Sequence, residues 1–119
     1  MPVFTDVARV VRASALPDSD LEVDDLDPAQ VVAGEPEVRV LPLHDSEALA
    51  VGVWQHSTGV STDVEADEVF VVLRGRATVE VDGGPTLEVG PGDVGLLPAG
   101  ARTTWTVHET LRKIYVVRP

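Results

Sequence analysis

The chain has 119 residues, enough for one domain with a modest core and too few for two. Hydrophobic residues make up 44% of it and charged residues 24%, ordinary globular values, while twenty Asp and Glu against nine Lys and Arg leave a formal charge of -11. A field of that sign repels phosphate backbones and anionic lipid, so no nucleic acid and no membrane is expected as a partner, and the lack of cysteine removes disulfides, thiolate nucleophiles and thiolate metal sites.

The opening MPVFTDVARVVR carries no basic segment followed by an apolar run, and no stretch approaches transmembrane length, which makes a cytoplasmic location the expectation. Val3, Val7, Val10 and Val11 fit either an arm strand or a short helix. From Pro17 to Asp27 runs an acidic stretch with carboxylates at Asp18, Asp20, Glu22, Asp24, Asp25 and Asp27. Its opening spacing is that of a calcium loop. The sixth position, however, is Val23 where the turn needs glycine, and the twelfth is Ala29 where a bidentate Glu belongs. A solvated acidic loop is the expectation.

After Gly34 the pattern changes to short β-branched runs separated by turn residues. Strands are expected at 38–43, 49–56, 68–73, 77–81, 86–89, 94–97, 103–108 and 112–117. Asp82-Gly83-Gly84 supplies a tight hairpin, and Gly90-Pro91-Gly92-Asp93 and Pro98-Ala99-Gly100 make the next two turns. Even spacing without intervening helices favours an all-β jelly roll or barrel over a parallel α/β sheet. The organisation expected is a single domain, with residues 1–30 as an N-terminal arm and acidic loop and residues 31–119 as the barrel.

Two motifs extend this reading. Glu68 followed after six residues by Gly75 matches the end of the first cupin signature, and Gly92, then Pro98 and Gly100, match the second. Gly52-Val53-Trp54, Asp67-Glu68, Leu73-Arg74-Gly75-Arg76, Trp105-Thr106-Val107 and Arg112-Lys113-Ile114-Tyr115 are similar to the runs of one cupin subgroup. The chain thus resembles the ureidoglycine aminohydrolase-like and ethanolamine-utilisation-like cupins from about residue 31 to residue 117. The resemblance implies a cupin double-stranded β-helix.

The departures bear on chemistry. Metal-binding cupins place His-x-His shortly before the glutamate and a further His after the Pro-x-Gly turn. Here those positions hold Thr62 and Val64, or Ser61 and Asp63 at the longer spacing, and then Thr103. Only Glu68 remains, with Asp63 as one further oxygen, whereas transition-metal sites normally take three or four protein ligands including imidazole. No metal and no cofactor are expected.

Glu68 is the candidate catalytic residue, because a carboxylate in a barrel mouth can serve as general acid or base. The pocket positions implied by the resemblance and by strand alternation are Trp54, His56, Thr62, Val64, Phe70, Thr103, Trp105, Lys113 and Tyr115. Trp54 and Trp105 are the only tryptophans, and they fit either a pocket floor or plain core packing. His44, His56 and His108 match no ligand spacing; His56, in phase with Trp54, is the one placed to face the barrel. The function expected is binding of a small metabolite, neutral or cationic given the acidic field, in a homodimer paired through an edge strand or the arm. The alternative is an enzyme: either one of the ureidoglycine aminohydrolase-like class, or a metal-independent isomerase, lyase or hydrolase with Glu68 as general base.

Overall fold

A computed structural model describes residues 7–119. Within them nine strands pair antiparallel: β1 (Glu22–Val23), β2 (Val31–Ala33), β3 (Val38–Asp45), β4 (Ala50–His56), β5 (Gly59–Val64), β6 (Asp67–Val81), β7 (Thr86–Val89), β8 (Val94–Leu97) and β9 (Arg102–Arg118). The architecture is the all-β jelly-roll barrel that the pattern of short runs predicts. β9 is its spine. Its first half lies between β5 and the end of β6, and its second half lies between β4 and the start of β6.

β6 and β9 each replace two shorter expected strands, and the reason is local. The polar segments that read as breaks, around Arg74–Arg76 and Glu109–Thr110, are bulges where the pairing shifts register without stopping. Gly75 has a φ of 89°, and a β-carbon there would overlap the Thr110 carbonyl oxygen, so the two strands cross at a point only glycine fits. Both strands bend here and pass from one wall of the barrel to the other. β5 was absent from the expected strands because Ser57-Thr58-Gly59 and Ser61-Thr62-Asp63 read as turn chemistry. It exists because Val60 to Val64 pair with Thr106 to Arg102 along β9.

The core follows from the period of two. Phe70 and Val72 on β6, Ala77 and Val79 beyond the bulge, Val89, Leu97, and Trp105, Val107 and Leu111 on β9 form one buried cluster. Burying each of the larger side chains contributes about 2 kcal/mol. Gly95 is required beside them, since a β-carbon there would enter the Phe70 ring.

The N-terminal segment lies on the barrel rather than apart from it. Val3 lies outside the described residues; Val7 and Val10 are largely exposed, and among the described residues of this segment neither a strand nor an α-helix precedes the 3-10 turn at Ala13–Ala15. The acidic stretch is likewise not a solvated loop throughout. Within it Leu21 is buried and β1 pairs with β3, and just beyond it β2 pairs with β5. The fastening is Arg112, which strand alternation turns away from the interior and the arm covers completely. Its Nε donates to Gln55 Oε1 at 2.8 Å, Nη1 to the carbonyls of Leu16 at 2.7 Å and Ala13 at 3.0 Å, and Nη2 to Asp18 Oδ1 at 3.1 Å. Asp18, the first residue of the calcium-like spacing, is therefore engaged by a guanidinium.

Candidate ligand pocket

The barrel interior opens into a cavity of about 440 Å³. β4 brings Trp54 to it, β6 brings Glu68, and β9 brings Trp105 from one half and Lys113, Tyr115 and Val117 from the other. Pairing register sets these neighbours: Lys113 lies across from Trp54 and Val72, and Tyr115 across from Gly52 and Phe70. Gly52 is needed there, because the Tyr115 hydroxyl lies where its β-carbon would be.

At the base of the cavity sits an ion pair. Lys113 Nζ donates to Glu68 Oε2 at 2.7 Å, with side-chain exposures of 5% and 8%. Three rings surround the same ammonium, with Trp54, Trp105 and Phe70 centroids at 4.4, 4.5 and 4.7 Å. The faces of aromatic rings carry the negative lobe of the quadrupole, so all three favour a cation at this point. The rings also contact one another, Trp54 with Trp105 and Phe70 with Trp105 at 5.6 Å between centroids, which fixes the box.

A second polar set stands beside it. Glu65 Oε2 accepts from Thr103 Oγ1 at 2.6 Å and from Trp105 Nε1 at 3.1 Å, so the indole is oriented by a carboxylate. Asp63 lies next to it, and burial, followed by the charge of Glu65, holds its carboxyl above the usual aspartate range. The Tyr115 phenol is raised as well, first by burial and then by the carboxylates of Asp45, Glu68 and Asp24. It is a neutral hydroxyl at physiological pH. From the N-terminal segment Asp24, Asp25, Leu26 and Gln30 close the mouth, with Gln30 Nε2 donating to the Thr62 carbonyl at 3.0 Å. Among the described residues lining the cavity, five are acidic and Lys113 alone is basic.

The structure brings six of the sequence-predicted residues, Trp54, Thr62, Glu68, Trp105, Lys113 and Tyr115, to the cavity wall. Four others sit elsewhere. Val64 is exposed on the outside, because Ser61, Asp63 and Glu65 take the inward face of that segment and Val64 alternates away from it. Both residues of the longer motif spacing, Ser61 and Asp63, thus line the cavity, whereas of the shorter pair only Thr62 does. Phe70 is wholly buried beneath Lys113 as part of the core, and Thr103 is buried under Glu65. His56 lies behind Trp54, its ring 5.4 Å from the indole, and is fully buried. Its Nδ1 donates to the Ser57 carbonyl at 2.6 Å, which leaves Nε2 to accept from Ser61 Oγ at 2.8 Å. Burial holds this histidine below the usual imidazole range, with the Lys113 charge pressing the same way against the Ser57 bond.

These residues do not fit a transition metal. One Glu68 oxygen, Oε2, is engaged by Lys113, Thr103 by Glu65, and both nitrogens of His56 by Ser57 and Ser61. Among the described residues no three side chains of His, Asp or Glu are grouped to hold an ion. Glu65, Asp24 and Asp25 were missed from sequence. The signal for Glu65 was the alternation Ser61, Asp63, Glu65, visible once β5 is taken as a strand; nothing local marks Asp24 and Asp25.

Comparison with known proteins follows the same lines. The model of the EutQ-like cupin domain matches residues 43–115. The EutQ protein of Clostridium difficile is similar at 19% identity, over 81% of each chain, with a TM-score of 0.64. A putative ethanolamine utilization protein Q from Salmonella typhimurium is similar at 25% identity over 70% of each chain, with a TM-score of 0.62. A protein of unknown function from Pseudomonas syringae pv. tomato superposes with a TM-score of 0.71 at 25% identity, over 82% of this chain and 43% of that one. No curated protein matches the chain.

Proposed function

The chain belongs to the EutQ-like cupin family, and on that premise we propose that its barrel binds a small neutral or cationic molecule without a transition metal, Glu68 and Lys113 forming the polar anchor. The observation that carries this reading is the cavity itself. Its volume of about 440 Å³ lies in the range of small-molecule pockets, and it combines aromatic walls with a few fixed polar groups. Five lining carboxylates against one ammonium disfavour an anion and favour an amine, a polyol or a carbonyl compound. The Tyr115 hydroxyl adds a donor and an acceptor at the wall.

Calorimetric titration with paired probes tests this: propylamine against propionate, and ethanolamine against glycolate. The amines bind and the acids do not. Equal binding, or preference for the acids, overturns the proposal. A second reading, a metal-independent enzyme using Glu68 for proton transfer, is favoured by one contact: a carboxylate and an ammonium 2.7 Å apart form a ready proton-transfer couple.

Assembly is part of the same proposal. Val94 and Leu96 on β8, Val69 on β6 and Val116 on β9 expose adjacent apolar side chains on the outer face of one wall. The Asp67–Arg118 pair at its rim is internally neutral, in a chain of charge -11. That face is where a second copy meets the least like-charge repulsion, and we propose it as the homodimer surface. The described part of the arm is held on its own barrel by Arg112, which favours this face over exchange of the arm.

A further inference from the structure

Lys113 is the only lysine in the chain; the other eight basic residues are all arginine. That one primary amine is not at the surface. It lies at the base of the cavity, 5% exposed, against Glu68. An arginine could supply the charge for a structural pair, as Arg112 does one residue earlier. What a lysine adds is a nitrogen able to form a covalent bond to carbon.

Resting on the pocket reading above, we propose that Lys113 is a carbonyl-reactive residue that captures a small aldehyde in the barrel as a protonated imine, with Glu68 as its proton shuttle. The reaction balances with the groups present. Glu68 Oε2, at 2.7 Å, takes one proton from the ammonium. The freed lone pair on Nζ forms the bond to the carbonyl carbon as the carbonyl π pair moves to oxygen. That oxygen receives the proton from Glu68, giving a carbinolamine whose nitrogen still carries two protons and the positive charge, with Glu68 again ionised. A second nitrogen proton, relayed again by Glu68, then reaches the hydroxyl, the C–O bond breaks, and water leaves as the nitrogen lone pair closes the C=N bond after which Glu68 stands ionised and the third proton remains on nitrogen. One aldehyde and one ammonium give one iminium and one water, with the charge unchanged.

The surroundings suit this outcome. The three rings and the carboxylate stabilise a monocation at Nζ, and an iminium satisfies them as an ammonium does. Apolar walls of Trp54, Trp105 and Val117 favour loss of water from the carbinolamine. The carboxylates at the mouth, Asp24, Asp25 and Asp63, select against aldehydes that carry an acid group and admit neutral or amino-substituted ones.

The test uses the whole protein with propanal and cyanoborohydride, followed by peptide mass spectrometry, while tryptophan fluorescence is followed in a parallel sample without reductant. The expected result is a propyl group on the peptide containing Lys113, formed at least tenfold faster than on the N-terminal amine. It is lost in Lys113→Arg and slowed tenfold or more in Glu68→Gln. Glu68→Asp, which keeps a carboxylate, restores part of the rate and guards against a merely structural effect. A fluorescence change with modification at the N-terminal amine alone overturns the imine proposal and leaves the pocket reading standing. No fluorescence change and no Lys113 adduct overturns both.

Discussion

Replacing Lys113 by Met keeps the length of the side chain and removes the cation that Glu68 faces. The two side chains are 5% and 8% exposed at 2.7 Å, so the loss belongs with broken buried pairs, about 3–5 kcal/mol, rather than with surface pairs at about 1 kcal/mol or less. Glu68 borders a cavity that water can enter, which sets the expectation at the lower end, about 3 kcal/mol. For a domain of this size that lowers Tm by about 10 °C. The double variant Lys113→Met with Glu68→Leu leaves no stranded charge and is expected within about 1 kcal/mol of the parent. Urea unfolding of parent, both single variants and the double variant at neutral pH measures the cycle. A single-variant cost below about 1 kcal/mol, or a double variant as unstable as Lys113→Met, would refute the claim that the pair is desolvated.

Three further expectations concern protons and assembly. His56 is held below its ordinary value of 6.5 when folded, so the unfolded chain takes up its proton first and this site destabilises the protein as pH falls from about 6.5 toward the folded value. His56→Asn flattens that part of the urea-midpoint profile between about pH 7.5 and about 5.5, and identical slopes for the two proteins would contradict the assignment. Asp63 is raised, so it gains its charge only as pH climbs past the usual aspartate range. Propylamine affinity therefore rises with pH there, and Asp63→Asn removes that rise while leaving binding at neutral pH weakened. Leu96→Glu places a carboxylate on the outer apolar face, where Leu96 is 70% exposed, and light scattering should show the dimer proposed on that face dissociating about tenfold more readily with Tm of the isolated chain unchanged.

Much of the barrel was legible because its signals are local. The hairpin at Asp82-Gly83-Gly84, the turns at Gly92 and Gly100 and the apolar alternation along β6 and β9 each declare themselves within a few residues. Where reading failed, distant partners decided. Gly75 and its polar neighbours look like a turn until Thr110 is seen lying against them. β5 is made of turn-formers and is a strand only because β9 offers it a ladder. In the pocket, Glu68, Trp54, Trp105 and Lys113 were visible through motif and parity. Val64 was misplaced by one step of register, which turns a side chain to the other face. Glu65 and the Asp24–Asp25 pair were not legible, since their role depends on a strand held by β9 and on an arm fastened by Arg112, both far along the chain.

The cation facing Glu68 in this barrel is the chain's own ammonium, where metal-binding cupins place an ion. Elemental mass spectrometry on untagged protein, purified without chelator and dialysed against clean buffer, tests it most directly. The expected result is manganese, iron, nickel and zinc all at background relative to protein. Near-stoichiometric content of any one of them, retained in the parent and lost in Glu68→Gln, would contradict the account.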